Sequence, residues 1–103
     1  MTTTELSYRP RRAKPDANQA QMVSDLRRFG FCCIITHTLG GDALDMFVGG
    51  WNCRTRQYAW VQVEVKVPGA KLTPNEKKYI KRWSDLPIIV AYKAEDVLAW
   101  FGR

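Results

Sequence analysis

Glu64 and Lys66 stand two residues apart in the run Trp60-Val-Gln-Val-Glu-Val-Lys-Val67. Valines at 61, 63, 65 and 67 alternate with Trp60, Gln62, Glu64 and Lys66, and a period of two predicts a strand with one apolar face. Both charged heads then project from the same side, close together. An ionised carboxylate beside an ammonium at the end of an apolar strand can hold a divalent cation and a phosphate oxygen side by side. A face meant only for solvent has no need of Trp60. A second carboxylate can be set against the first. Asp45-Met-Phe-Val-Gly-Gly50 reads as another short strand, and Asn52 to Gln57 as a polar turn. A hairpin centred between Arg54 and Thr55 puts Asp45 opposite Glu64. Asp42 is a nearby rival for the metal role, but Asp45 fits the register.

The chain that must position these groups has 103 residues, enough for one domain with a single core. Its hydrophobic fraction of 46% and aromatic fraction of 12% exclude a disordered polymer. A net charge of +6 favours a polyanionic partner. No stretch approaches membrane-spanning length, and Met1 is followed by Thr-Thr-Thr-Glu instead of a basic and then apolar signal, so a cytoplasmic protein without a membrane partner is expected. Cys32, Cys33 and Cys53 lack metal-ligand spacing, and His37 is the single histidine. Cys32 and Cys33 are expected as small core residues in a reducing compartment. No zinc site follows.

Residues 1–15 have no apolar period and carry Arg9, Arg11, Arg12 and Lys14: a solvated tail, or a basic arm that meets phosphates. The domain proper is expected over 16–103. Asp16 reads as the N-cap of a helix whose stripe is Met22, Val23, Leu26 and Phe29, closed by Gly30. Gln19 lies on that stripe and must find polar partners. Phe31-Cys-Cys-Ile-Ile-Thr36 predicts a strand buried on both faces. His37 at its end is a structural residue or a general base, and Leu39-Gly-Gly-Asp-Ala43 is a turn. Thr73-Pro-Asn-Glu76 is a capping box with proline at the first helical position, which explains Glu76 plainly. Glu76 also shares a stripe with Ile80 and Trp83, so it can look back toward Glu64. Lys77, Lys78, Lys81 and Arg82 form the helix's other side, an ordinary solvated face or one that contacts phosphates. Pro87-Ile-Ile-Val-Ala-Tyr92 predicts a last buried strand, parallel to the one before the helix. A short helix from Ala94 to Phe101 closes the chain, with Val97, Leu98 and Phe101 inward.

An acid, a turn and then Glu-X-Lys is the pattern of the PD-(D/E)xK nucleases, and the chain resembles that superfamily. The closer likeness is to small phage and bacterial VRR-NUC-type nucleases, some of which act as Holliday-junction resolvases. It is carried by Asp16-Ala-Asn-Gln19, Gly40-Gly41, Asp45, Glu64-Val-Lys66, Leu72-Thr-Pro-Asn-Glu76 and Trp83, and so covers most of the chain. The resemblance implies a restriction-endonuclease-like αβββαβ core, a mixed four-stranded sheet flanked by helices. It implies a Mg²⁺- or Mn²⁺-dependent endonuclease in which Asp45, Glu64 and the Val65 carbonyl hold the metal. Lys66 would stabilise phosphoryl charge or orient the attacking water. Where some relatives carry a metal-supporting glutamate, this chain has Gln19, which acts through water or is a core-edge amide. Glu76 falls where many relatives have a polar residue that orients the metal site. Leu44 stands where the family often has proline, a departure that touches the turn and leaves the Asp45 carboxylate in place. Branched DNA is the expected substrate, and the alternative is a nuclease-like module that binds DNA or protein without cutting. Symmetric cutting of a junction needs two sites related by a two-fold axis, so a homodimer is expected. Trp51, Tyr58, Tyr92 and Trp100 exceed what so small a core needs and are candidates to cover a partner surface.

Overall fold

The computed structural model describes residues 13–36 and 44–103, with side chains in the first helix from Asn18 onward. Arg9, Arg11, Arg12, His37, Gly40, Gly41 and Asp42 lie outside the described residues, as does the side chain of Lys14.

The chain forms α1 (Ala13–Arg28), β1 (Cys32–Ile35), β2 (Met46–Asn52), β3 (Gln57–Val65), α2 (Pro74–Arg82), β4 (Ile88–Ala91) and α3 (Ala94–Trp100). The four strands make one mixed sheet in the order β1-β2-β3-β4. The first three are antiparallel, and β4 joins β3 in parallel through α2.

Helix α1 begins earlier than the sequence suggests. Pro15 lies in its first turn, where a backbone N–H has no intrahelical acceptor and its loss is harmless. Asp16 is therefore inside the helix and is no N-cap, and the last three residues of the expected arm belong to α1. The other end falls as expected. Gly30 has φ of +90°, its N–H reaches the Arg27 carbonyl, and the Phe31 N–H reaches the Leu26 carbonyl. Those two bonds close a Schellman cap that turns Phe31 into the core and leaves Phe29 outside, 57% exposed. Phe29 is thus not on the buried stripe, which consists of Gln19, Met22, Val23 and Leu26.

The core lies on one side of the sheet. Met46, Val48, Val61, Val63, Val65 and Ala91 pack there against α1 and against Val97 and Phe101 at the carboxyl end. Trp100 packs partly buried onto the same cluster, so it is not a spare aromatic. The hairpin turn is tied by hydrogen bonds to the end of α3. The Asn52 amide donates to the Trp100 carbonyl at 3.2 Å, the Cys53 N–H to the Phe101 carbonyl at 2.8 Å, and the Arg54 guanidinium to the Ala99 carbonyl.

The two edge strands differ from expectation, because the sheet's second face is only partly covered. In β1, Cys33 is buried, whereas Cys32 and Ile34 are exposed on the opposite face. Adjacent strand residues point to opposite faces, so only one of the paired cysteines can enter a one-sided core. Strand β4 is half-buried, with Ala91 alone fully covered.

Candidate functional site

The β2–β3 ladder sets the site. Met46 pairs with Val63, Val48 with Val61 and Asn52 with Gln57. Continued by one residue beyond Met46, that register brings Asp45 across from Glu64, as the hairpin reading requires. The contact is direct at the backbone: the Val65 N–H donates to Asp45 Oδ2 at 2.7 Å, where another strand would offer a carbonyl. Asp45 is itself held by the end of β1. The Thr36 N–H donates to the Asp45 carbonyl at 2.8 Å, and the Thr36 hydroxyl donates to the Leu44 carbonyl. Leu44 is buried beside this bend.

Opposite the dry core, α2 crosses the polar face of β3. The Tyr79 hydroxyl and the Gln62 side chain are hydrogen-bonded, with contacts of 2.8 and 3.1 Å. One helical turn earlier, Glu76 Oε1 accepts from Lys66 Nζ at 2.8 Å and from the Thr73 N–H at 2.8 Å. Glu76 N–H in turn donates to Thr73 Oγ1 at 3.1 Å, completing the capping box. Glu76 thus does both things its position allows: it caps α2 and it reaches the strand. Lys66 Nζ also lies 3.6 Å from Glu64 Oε2. On the far side, Asn18 Nδ2 donates to the Lys66 carbonyl at 3.3 Å, so the first half of α1 abuts the end of β3. Gln19 is buried next to it.

Three acids around one lysine make an unbalanced cluster, and the acids titrate apart. Burial, the hydrogen bond to Glu76 and the charges of Asp45 and Glu76 push Glu64 up to about 9, against the smaller pull of Lys66. Burial would raise Glu76 as well, but hydrogen bonds from Glu64, Lys66 and the Thr73 N–H outweigh it and hold Glu76 at about 2. For Lys66, burial opposes charge, yet the bond to Glu76 and the surrounding carboxylates prevail and raise its pKa. Glu64 is thus biased toward its protonated form and Glu76 toward its ionised form, the two sharing a hydrogen bond beside the Lys66 ammonium.

Asp45, Glu64 and the Val65 carbonyl offer only hard oxygens, the donor type that Mg²⁺ and Mn²⁺ take, and Mg²⁺ commonly keeps several waters beside one or two carboxylates. Among the described residues, no three His, Cys, Asp or Glu side chains form a group able to hold a metal ion unaided.

The structure brings Asp45, Glu64, Lys66 and Glu76 together, and Gln19 is buried in α1 beside Asn18, whose amide reaches the Lys66 carbonyl. Lys77, Lys78, Lys81 and Arg82 are all exposed on α2, beside the cluster and not in it. Thr36, Asn18 and Tyr79 were not legible as site residues. Tyr79 lies three residues after Glu76, so the helical period could have found it; Thr36 and Asn18 act through backbone contacts that no spacing announces. No family model, curated protein or solved structure matches the chain. Among the described residues no helix is long and apolar enough to cross a membrane.

Proposed function

We propose that the chain is a metal-dependent endodeoxyribonuclease of the PD-(D/E)xK type, with a restriction-endonuclease-like core, acting on branched DNA as a homodimer in the cytoplasm. The observation that carries the reading is the meeting of Asp45, from one strand, with Glu64 and Lys66 on the next. That is the arrangement Asp-turn-Glu-X-Lys needs to work on a phosphodiester. Asp45, Glu64 and the Val65 carbonyl would hold Mg²⁺ or Mn²⁺. Bound there, the cation would lower the pKa of a water and polarise the phosphate. Lys66, kept charged by its acidic neighbours, would neutralise the phosphoryl group or orient the attacking water. Glu76 would position Lys66, and the α2 cations would hold the duplex by its phosphates without reading sequence.

The test is nicking of supercoiled plasmid by purified protein in Mg²⁺ and in Mn²⁺, repeated with Glu64→Ala and Lys66→Ala. Loss in both variants supports the site, and full activity in either removes it. A second reading, a nuclease-like module that binds DNA or protein without cutting, is favoured by Gln19 in place of an acid. Failure of the unaltered protein to nick in either metal, with DNA binding retained, would select it.

A further inference from the structure

Helix α2 covers only part of the sheet's second face. It begins with Glu76 beside Lys66 and passes Tyr79 beside Gln62, so it runs back along β3 toward Trp60. Beyond Gln62, the described residues leave that face open. Ile34, Phe47, Trp51, Tyr58 and Trp60 are all exposed there on adjacent strands. Trp60 is 48% exposed, and Gly49 is its cross-strand partner. A Cβ on Gly49 would come within 2.7–2.8 Å of three atoms of the indole's benzene ring. The ring therefore lies against bare backbone, with its outer surface free. Trp51 and Tyr58 extend the layer, meeting edge to face with centroids 5.1 Å apart.

We infer that this aromatic layer is a stacking platform for unpaired bases of a nucleic acid strand, with Trp60 as its central ring. The inference rests on the nuclease reading and names the substrate class of that site. Trp60 and Glu64 lie on the same side of one strand, two two-residue steps or about 13 Å apart. A nucleic acid strand covers that distance in about four nucleotides at a stacked rise of about 3.4 Å, and in fewer when the bases are splayed. A base on Trp60 thus leaves a phosphate of the same strand within reach of Lys66. Charge selects the occupant. The chain carries +6, and α2 brings Lys81 and Arg82 along the flank of the platform. A polyanion is drawn to such a surface. A duplex hides its base faces; unpaired bases expose theirs, and an aromatic ring accepts any of them.

The test uses the full chain in EDTA, so that binding is measured without cutting. A fluorescent twenty-residue oligothymidylate is titrated by anisotropy against the unaltered protein, Trp60→Leu and Trp60→Phe, with a blunt duplex hairpin as competitor. The expected result is about a tenfold or greater loss of affinity in Trp60→Leu, little change in Trp60→Phe, and weak competition by the duplex. Equal affinity in all three proteins overturns the platform. So does a Trp60→Leu variant whose only change is weaker self-association in sedimentation, which would make the face a contact between copies. A fold-independent measurement uses the unaltered protein alone: an oligonucleotide with 5-iododeoxyuridine should photo-crosslink to the peptide containing Trp60, and adducts confined to other segments overturn the inference. Plasmid nicking in Mg²⁺ separates the two proposals. Cutting without a Trp60 effect removes the platform and leaves the nuclease; a Trp60 effect without cutting removes the nuclease and leaves a single-strand binding surface.

Discussion

The two faces of β3 differ by one residue of register and by nearly everything else. Val61, Val63 and Val65 look into a dry cluster with Met22, Leu26 and Phe101. Trp60, Gln62, Glu64 and Lys66 look the other way, onto rings, amides and charges. Both faces bury material: Gln62 and Glu64 are as hidden as Val65. The means of hiding it differ. On the valine side, burial is driven by removal of apolar area from water, and α1 is anchored by fully buried side chains. On the other side, α2 has no fully buried residue and is held by Tyr79–Gln62, Glu76–Lys66 and a capping box. Stability is concentrated on one face and polar chemistry on the other, and a single alternating strand serves both.

The sharpest way to break that division is at the charged end. Glu64→Ala and Lys66→Ala should each lower plasmid nicking by about a thousandfold or more. Far-UV circular dichroism should be unchanged, because neither side chain belongs to the valine face. Calorimetry should show metal binding lost in Glu64→Ala and kept in Lys66→Ala. The converse change is Leu26→Ala. It should reduce unfolding free energy by about 2–5 kcal/mol in urea melts while nicking by the folded fraction stays normal.

Gln19 tests where the faces meet. Gln19→Glu places an acid at a buried position next to Asn18, which touches Lys66. The metal-free protein should lose about 1–3 kcal/mol, and Mg²⁺ should restore part of it. A melting temperature lowered equally with and without Mg²⁺ would leave Gln19 a core-edge amide.

A smaller effect concerns pH. Glu64 is raised to about 9 from its ordinary 4.5, so the stability it contributes is full below about pH 4.5 and is lost as pH rises toward 9. Glu76, lowered to about 2, contributes above its ordinary value and loses that contribution as pH falls toward 2. In EDTA the melting temperature should therefore decline from pH 5 to pH 9, and Glu64→Gln should flatten the decline. Mg²⁺ should stabilise more at pH 8 than at pH 5, since it displaces the proton that Glu64 holds. A flat profile in the unaltered protein would contradict the proton on Glu64. The smallest change expected is Lys81→Ala, which should weaken DNA binding evenly across sequences and lower its logarithmic salt dependence by about one.

Much of this arrangement was legible in the chain alone, because it follows from local periods. The alternation from Trp60 to Val67 determined a one-sided strand, the polar stretch from Asn52 to Gln57 determined its turn, and together they determined which residue faces Glu64. Thr73-Pro-Asn-Glu76 determined the start of α2, and Gly30 the end of α1. What the tertiary structure decided depends on neighbours that no local pattern names. The partial covering of the sheet's second face, and not composition, left Cys32 and Ile34 outside, since alternate residues of a strand point to opposite faces. Tolerance of Pro15 in a first helical turn moved the start of α1, and a left-handed cap turned Phe29 out of the stripe. The upward shift of Glu64 came from its burial and from two other acids, Glu76 on α2 and Asp45 just before β2, closing on it. Such a shift depends on burial and on distances between segments far apart in sequence, so it exists only once the chain has folded.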